Sequence, residues 1–154
     1  MCLAMAEDRQ DLLLHYRKSR EQLLAAIAGL TDEQMSEPSI DGWSVKDHLY
    51  HLALWDDLRA GEVERISAGH DSALKMSEEQ DDGQNAAGYE MRRTMSAAQA
   101  RWELETSRRR LLAAISSATE RGLEPSHYGA AALRSGHEGQ HVEWLQRWRN
   151  DLGS

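Results

Sequence analysis

Apolar residues recur at three- and four-residue steps along most of the chain, the spacing of helices that bury one face. In a first segment, Glu7 to Leu30, the stripe is Leu12, Leu13, Tyr16, Leu23, Leu24 and Ile27, and Gly29 is placed to end it. A second opens at Ser44, where Ser-Val-Lys-Asp resembles a capping box with Asp in place of Glu or Gln. Its stripe is Val45, Leu49, Leu52, Trp55, Leu58, Val63 and Ile66, fading at Ala68-Gly69. A third runs from Tyr89, or at the latest Ser96, to Arg121, with Gly122 and Pro125 as stop signals. The fourth covers Gly129 to Leu152, with Leu133, His137, His141, Trp144, Leu145 and Trp148 along one side.

Two of the three connections between these segments have a distinct composition. TDEQMSEPSIDGW is rich in turn formers, including Pro38 and Asp41-Gly42, and Thr31 can cap one short helical turn there. From His70 to Gly88 the composition is polar and acidic, which predicts a long loop between the second and third helices, bordering a site. Strict alternation of a strand is absent, and no internal repeat occurs. Four amphipathic helices must bury their stripes against one another, so the expected fold is an all-α four-helix bundle, one domain over residues 1–154.

Composition narrows the function. A net charge of −8 argues against nucleic acid, whose binders present a basic face. Arg108, Arg109 and Arg110 form a short basic run, read as a solvated helix face because Glu103 and Glu105 lie within a turn or two. Cys2 is the only cysteine, so no internal disulfide is possible. No apolar run approaches the ~20 residues needed to span a bilayer. The acidic start holds no signal-peptide core, and the expected location is the cytoplasm.

The chemistry lies in the histidines. SGHEGQH contains H-E-x-x-H, the helical zinc-protease pattern. Residues four apart share a helix face, so His137 and His141 can both reach one ion. Both lie on the apolar side of their helix, where an imidazole needs a partner for its ring nitrogens. The flanking Gly136 and Gly139 each weaken the helix by about 1 kcal/mol relative to Ala; either empty space beside the histidines or close helix packing would explain them. Catalytic zinc usually has three protein ligands and an open position. Only 13 residues follow His141, with no histidine among them, and Glu143 points away, so a third ligand must come from upstream. KDHLYHLALWD offers His48, near the middle of the second stripe, and His51, at its edge. Periodicity does not choose between them. Glu138 is read as facing solvent, about 100° from His137. His15, His70 and His127 are assigned surface or structural roles, and Trp55, Trp144 and Trp148 core or pocket wall.

GWSVKDHLYHLALWD resembles the opening of the second helix in the DinB-like (YfiT-like) superfamily of metal-dependent four-helix bundles. Trp43, Ser44 and Asp47 match its start, and His51-Leu52 its His-Leu; His137, His141 and EWLQRWR are similar to its ending, and QNAAGYEMRRTMSAAQ to its third-helix entrance. The resemblance implies a metal triad of His51, His137 and His141, deciding for His51 over His48. It implies a divalent ion, zinc or nickel, whose open position activates water or a low-molecular-weight thiol, as in a thiol transferase or a hydrolase. The substrate would be a small molecule, and a homodimer is common among similar proteins. The alternative is a non-catalytic binding or stress-protection module on the same metal-binding bundle.

Overall fold

The computed structural model describes residues 5–40, 42–75 and 78–152; Cys2 and Asp41 lie outside them. The long helices are α1 (Arg9–Ile27), α3 (Val45–Ser67), α5 (Ala97–Ser116) and α6 (His137–Leu152). A short α2 (Asp32–Ser36), an additional α4 (Glu78–Arg92) and two 3-10 turns at Arg121–Leu123 and Pro125–His127 complete the helices described. Asp8 caps α1 by accepting from the Asp11 amide, and Gly29, at a φ of 79°, ends it in the left-handed region. Thr31 caps α2, as its sequence suggested, and the reciprocal pair of Ser44 and Asp47 forms a full capping box at α3. Between α2 and α3, β1 (Pro38–Ile40) and β2 (Trp43–Ser44) pair antiparallel. Strands of three and two residues are too short to show a period of two, which is why the sequence did not reveal them.

Three boundaries differ from expectation. The polar stretch read as a loop from His70 to Gly88 contains most of α4, which lies on α3. There Trp55 Nε1 donates to Asn85 Oδ1 at 2.7 Å, and the Tyr89 ring stacks on Trp43 at 5.6 Å. Helix α5 starts at Ala97, capped by Ser96, and ends at Ser116 rather than Arg121. Arg9 holds the chain as it leaves, donating to the carbonyls of Ile115, Ser116 and Ala118.

The fourth helix begins at His137, not Gly129. The backbone groups before it are taken by other parts of the fold. Arg59 Nε donates to Ala132 O at 2.7 Å, Tyr16 Oη to Leu133 O at 2.5 Å, and the Ala130 amide to Leu74 O at 2.6 Å. Gly129 lies so close to this last strand of chain that a Cβ would sit 2.4 Å from Leu74 O. A helix through residues 129–136 would break these contacts.

The apolar core has two parts. One contains Leu23, Leu49, Leu52, Leu104, Val142 and Leu145; the other contains Tyr16, Ala60, Val63, Leu111, Ile115 and Leu133. Along each long helix a charged residue falls between the two parts: Arg20 on α1, Asp56 and Arg59 on α3, Arg108 on α5 and Glu138 on α6. Leu24, expected in the core, is 50% exposed and lines an open groove of about 430 Å³ between α1 and α5.

Candidate metal centre

The Ser44–Asp47 box fixes the start of α3 so that His48 and His51 face α6 one turn later. On α6, His137 and His141 stand one turn apart on the inner side. Three ring nitrogens converge. His141 Nε2 lies 3.0 Å from His137 Nε2, and His51 Nε2 lies 3.2 Å from the same atom. One nitrogen from each of the three rings lies within 4.8 Å of the others. Tetrahedral zinc with Zn–N bonds of 2.0–2.1 Å holds its nitrogens about 3.3 Å apart. Two of these spacings match that geometry, and the three-histidine cluster could hold a metal ion.

His48 is placed differently. Its Nδ1 meets His141 Nδ1 at 2.8 Å, on the far side of the His141 ring from the convergence point. Trp43 borders both α3 imidazoles, with ring centres 5.3 Å from His48 and 5.4 Å from His51, and Trp144 lies 4.9 Å from His141. A cavity of about 10 Å³, room for about one water, lies beside His51 between Trp43, Tyr50, Asn85 and Tyr89. Another of about 10 Å³ lies beside His137, lined by Trp55, Arg59, Ser135 and Glu138.

The rings of His51, His137 and His141 are held toward the neutral form, the one that ligates metal. Burial, and then the neighbouring imidazoles, push His141 down to about 2 and His51 down to about 3. Burial and then Arg59 push His137 down, with Asp56 and Glu138 opposing. These directions predict an acid response. Below the ordinary value of 6.5 the unfolded chain takes up protons that the folded chain refuses. The stability these groups contribute is present above that pH and is lost as pH falls beneath it. Metal-free protein is expected to unfold at lower urea at about pH 5 than at about pH 7. An unmoved midpoint would show that the rings are not buried as described.

Behind His137 lies the charged layer. Arg108 donates to Asp56 Oδ2 at 2.8 Å through Nε and to Glu138 Oε2 at 2.7 Å through Nη2. Arg20 Nη2 reaches the same carboxylates at 3.1 and 2.9 Å. Glu138 is thus buried, not solvent-facing as its angle from His137 suggested, because two guanidiniums await it on the inside. Arg108 is also buried, while Arg109 and Arg110 are exposed, so only part of the basic run is a solvated face.

Residues 15–145 match the DinB superfamily. The chain belongs to that superfamily. No curated protein matches the sequence. Among solved structures, an uncharacterised protein from Escherichia coli UTI89 superposes with a TM-score of 0.80 at 17% identity, covering 99% of this chain and 98% of that one. A protein from Streptococcus pneumoniae gives 0.76 at 14% identity, covering 96% and 93%. The mycothiol-dependent maleylpyruvate isomerase gives 0.71 at 18% identity, covering 90% of this chain and 61% of the isomerase. At these identities the superpositions establish a shared DinB-like helical-bundle fold.

In this DinB member the remaining histidines, His15, His70 and His127, lie away from the cluster. His15 is structural, with Nε2 2.7 Å from Ser135 O just before α6. His127 lies 3.4 Å from Glu124, and His70 is exposed. Trp55 is buried as pocket wall, and Trp148 packs on the core. Glu143 is exposed, as expected. No helix among the described residues is long and apolar enough to cross a membrane. A Cβ on Gly136 or Gly139 would meet nothing within 4 Å, so neither glycine serves close helix packing. Gly139→Ala, inside α6, is expected to raise stability by about 0.5–1 kcal/mol, seen as a higher urea midpoint. A loss of stability would show that the open space beside it is filled in solution.

Proposed function

We propose that this protein binds one divalent ion, zinc or nickel, through Nε2 of His51, His137 and His141, and uses it to activate a low-molecular-weight thiol for transfer or isomerisation. The observation that carries this reading is the convergence of three imidazole nitrogens, two of the three pairs at the spacing of a tetrahedral site. Nitrogen-only donors suit zinc and nickel better than magnesium or calcium, which prefer oxygen. When bound, such an ion lowers the pKa of a thiol or water at its open position. His51, His137 and His141 would supply three ligands and leave that position free. Trp43, Tyr89 and Trp55 would exclude bulk water from either side. The thiol is favoured over water because a structural relative is a mycothiol-dependent isomerase.

The protease reading is disfavoured by Glu138. In that reading Glu138 is the general base, but Arg20 and Arg108 hold one of its oxygens within the charged layer, and only its second oxygen is unbonded. Cobalt-loaded protein tests the proposal. Adding mycothiol, glutathione or cysteine should produce a sulfur-to-cobalt charge-transfer band, absent in His141→Ala. A cobalt spectrum unchanged by any thiol would refute the thiol role, and failure to take up cobalt would refute the ion site.

A further inference from the structure

Three of the four clustered imidazoles are accounted for by the proposed ion site, and His48 is not. His48 and His141 are buried to 4% and 2% exposure, with ring planes 70° apart and the two Nδ1 atoms 2.8 Å from one another. A hydrogen bond between two imidazole nitrogens needs a proton on one and a lone pair on the other. The remaining nitrogen of each neutral ring then has the opposite state.

His141 cannot serve both directions equally. If its Nε2 lone pair faces His137 and His51, its proton must sit on Nδ1. That proton then points at His48 Nδ1, which must accept it, and His48 carries its own proton on Nε2. We infer that His48 is a positioning residue: it accepts the His141 Nδ1–H hydrogen bond and so fixes the tautomer and ring angle that turn Nε2 of His141 toward a divalent cation. The role rests on the ion-site reading given above. The same contact excludes His48 as a fourth ligand to that ion. The two nitrogens of an imidazole point to opposite sides of the ring, so a partner of His141 Nδ1 stands behind His141 rather than beside its Nε2. Trp43 and Trp144, at 5.3 and 6.3 Å, hold the His48 ring in this place. Outer partners of this kind raise ligand basicity and set orientation, and their loss typically costs 10–100-fold in metal affinity.

Two variants and two readouts test the inference. His48→Leu keeps the bulk and removes the acceptor, whereas His48→Asn offers Oδ1 as an acceptor at similar reach. Zinc affinity is measured by competition with a chromophoric chelator. His48→Leu should weaken it by about 10–100-fold, and His48→Asn should recover most of the loss. The second readout is the nitrogen-15 tautomer spectrum of metal-free protein, which does not depend on zinc or activity. Wild type and His48→Asn should show His141 protonated on Nδ1, and His48→Leu a mixture of tautomers. The inference is overturned if wild-type His141 carries its proton on Nε2, or if His48→Leu keeps both the zinc affinity and the tautomer of wild type. A wild type that binds no zinc would sink the ion site; the His141 tautomer would then still decide whether His48 accepts its proton. Should His48→Leu fail to fold, the wild-type and His48→Asn spectra decide.

Discussion

Arg108→Leu is expected to cost about 3–5 kcal/mol of folding stability, the usual penalty for breaking a buried ion pair from one side. Arg108 is 5% exposed and bridges Asp56, Glu138 and the Tyr16 carbonyl. Burial alone would lower its pKa, but the two carboxylates override burial and raise it, so it stays charged. Leucine would fill much of the space yet leave Asp56 and Glu138 buried with less compensating charge. Arg20 would remain near both carboxylates and Arg59 3.6 Å from Asp56, which limits the loss to this range rather than a larger one. The control is Arg110→Leu, two residues on. Its pair with Glu64 is about half exposed on both sides, and such pairs contribute about 0–1 kcal/mol. Urea unfolding followed by circular dichroism measures both. Equal midpoints for the two variants would mean that the charged layer does not hold the bundle together.

His141→Ala is expected to reduce metal affinity by more than the 10–100-fold typical of losing an outer-shell partner, because it removes a ligand and also strands His48. His141 is the most buried of the three imidazoles and sits 3.0 Å from His137 Nε2. His51→Ala should behave similarly, since it removes the one proposed ligand from α3. His15→Ala serves as control: its ring bonds Ser135 O, away from the convergence point, and affinity should be unchanged. Calorimetric titration of metal-free protein with zinc measures all three. Retained binding in His141→Ala would place the ion elsewhere or abolish the site.

Much of this was legible in the sequence, and the exceptions share a cause. The helix stripes, the Thr31 and Ser44 caps and the Gly29 stop follow from local rules, and they appear where those rules put them. The His137–His141 pair was legible because four-residue spacing is itself a contact. Periodicity left the His51–His48 choice open, since both lie near the α3 stripe; the resemblance favoured His51, which in the fold lies with His137 and His141. The charged layer was missed for a different reason. Arg108 follows Leu104 by four residues and precedes Leu111 by three, and Arg20 stands in the same relation to Tyr16 and Leu23. The period placed both inside; their charge argued for the surface. Only the assembled bundle brings Asp56 and Glu138 to meet them. Helix α4 and the delayed start of α6 were hidden because tertiary partners, Trp55 for Asn85 and Arg59 and Tyr16 for residues 132–133, decide those backbones.

The most direct test is elemental analysis of protein purified after incubation with zinc and with nickel and then freed of excess ion, run alongside His51→Ala and His141→Ala. The account predicts close to one zinc or nickel per wild-type chain and almost none in either variant. Wild-type protein without a stoichiometric ion, or variants that retain it undiminished, would contradict it.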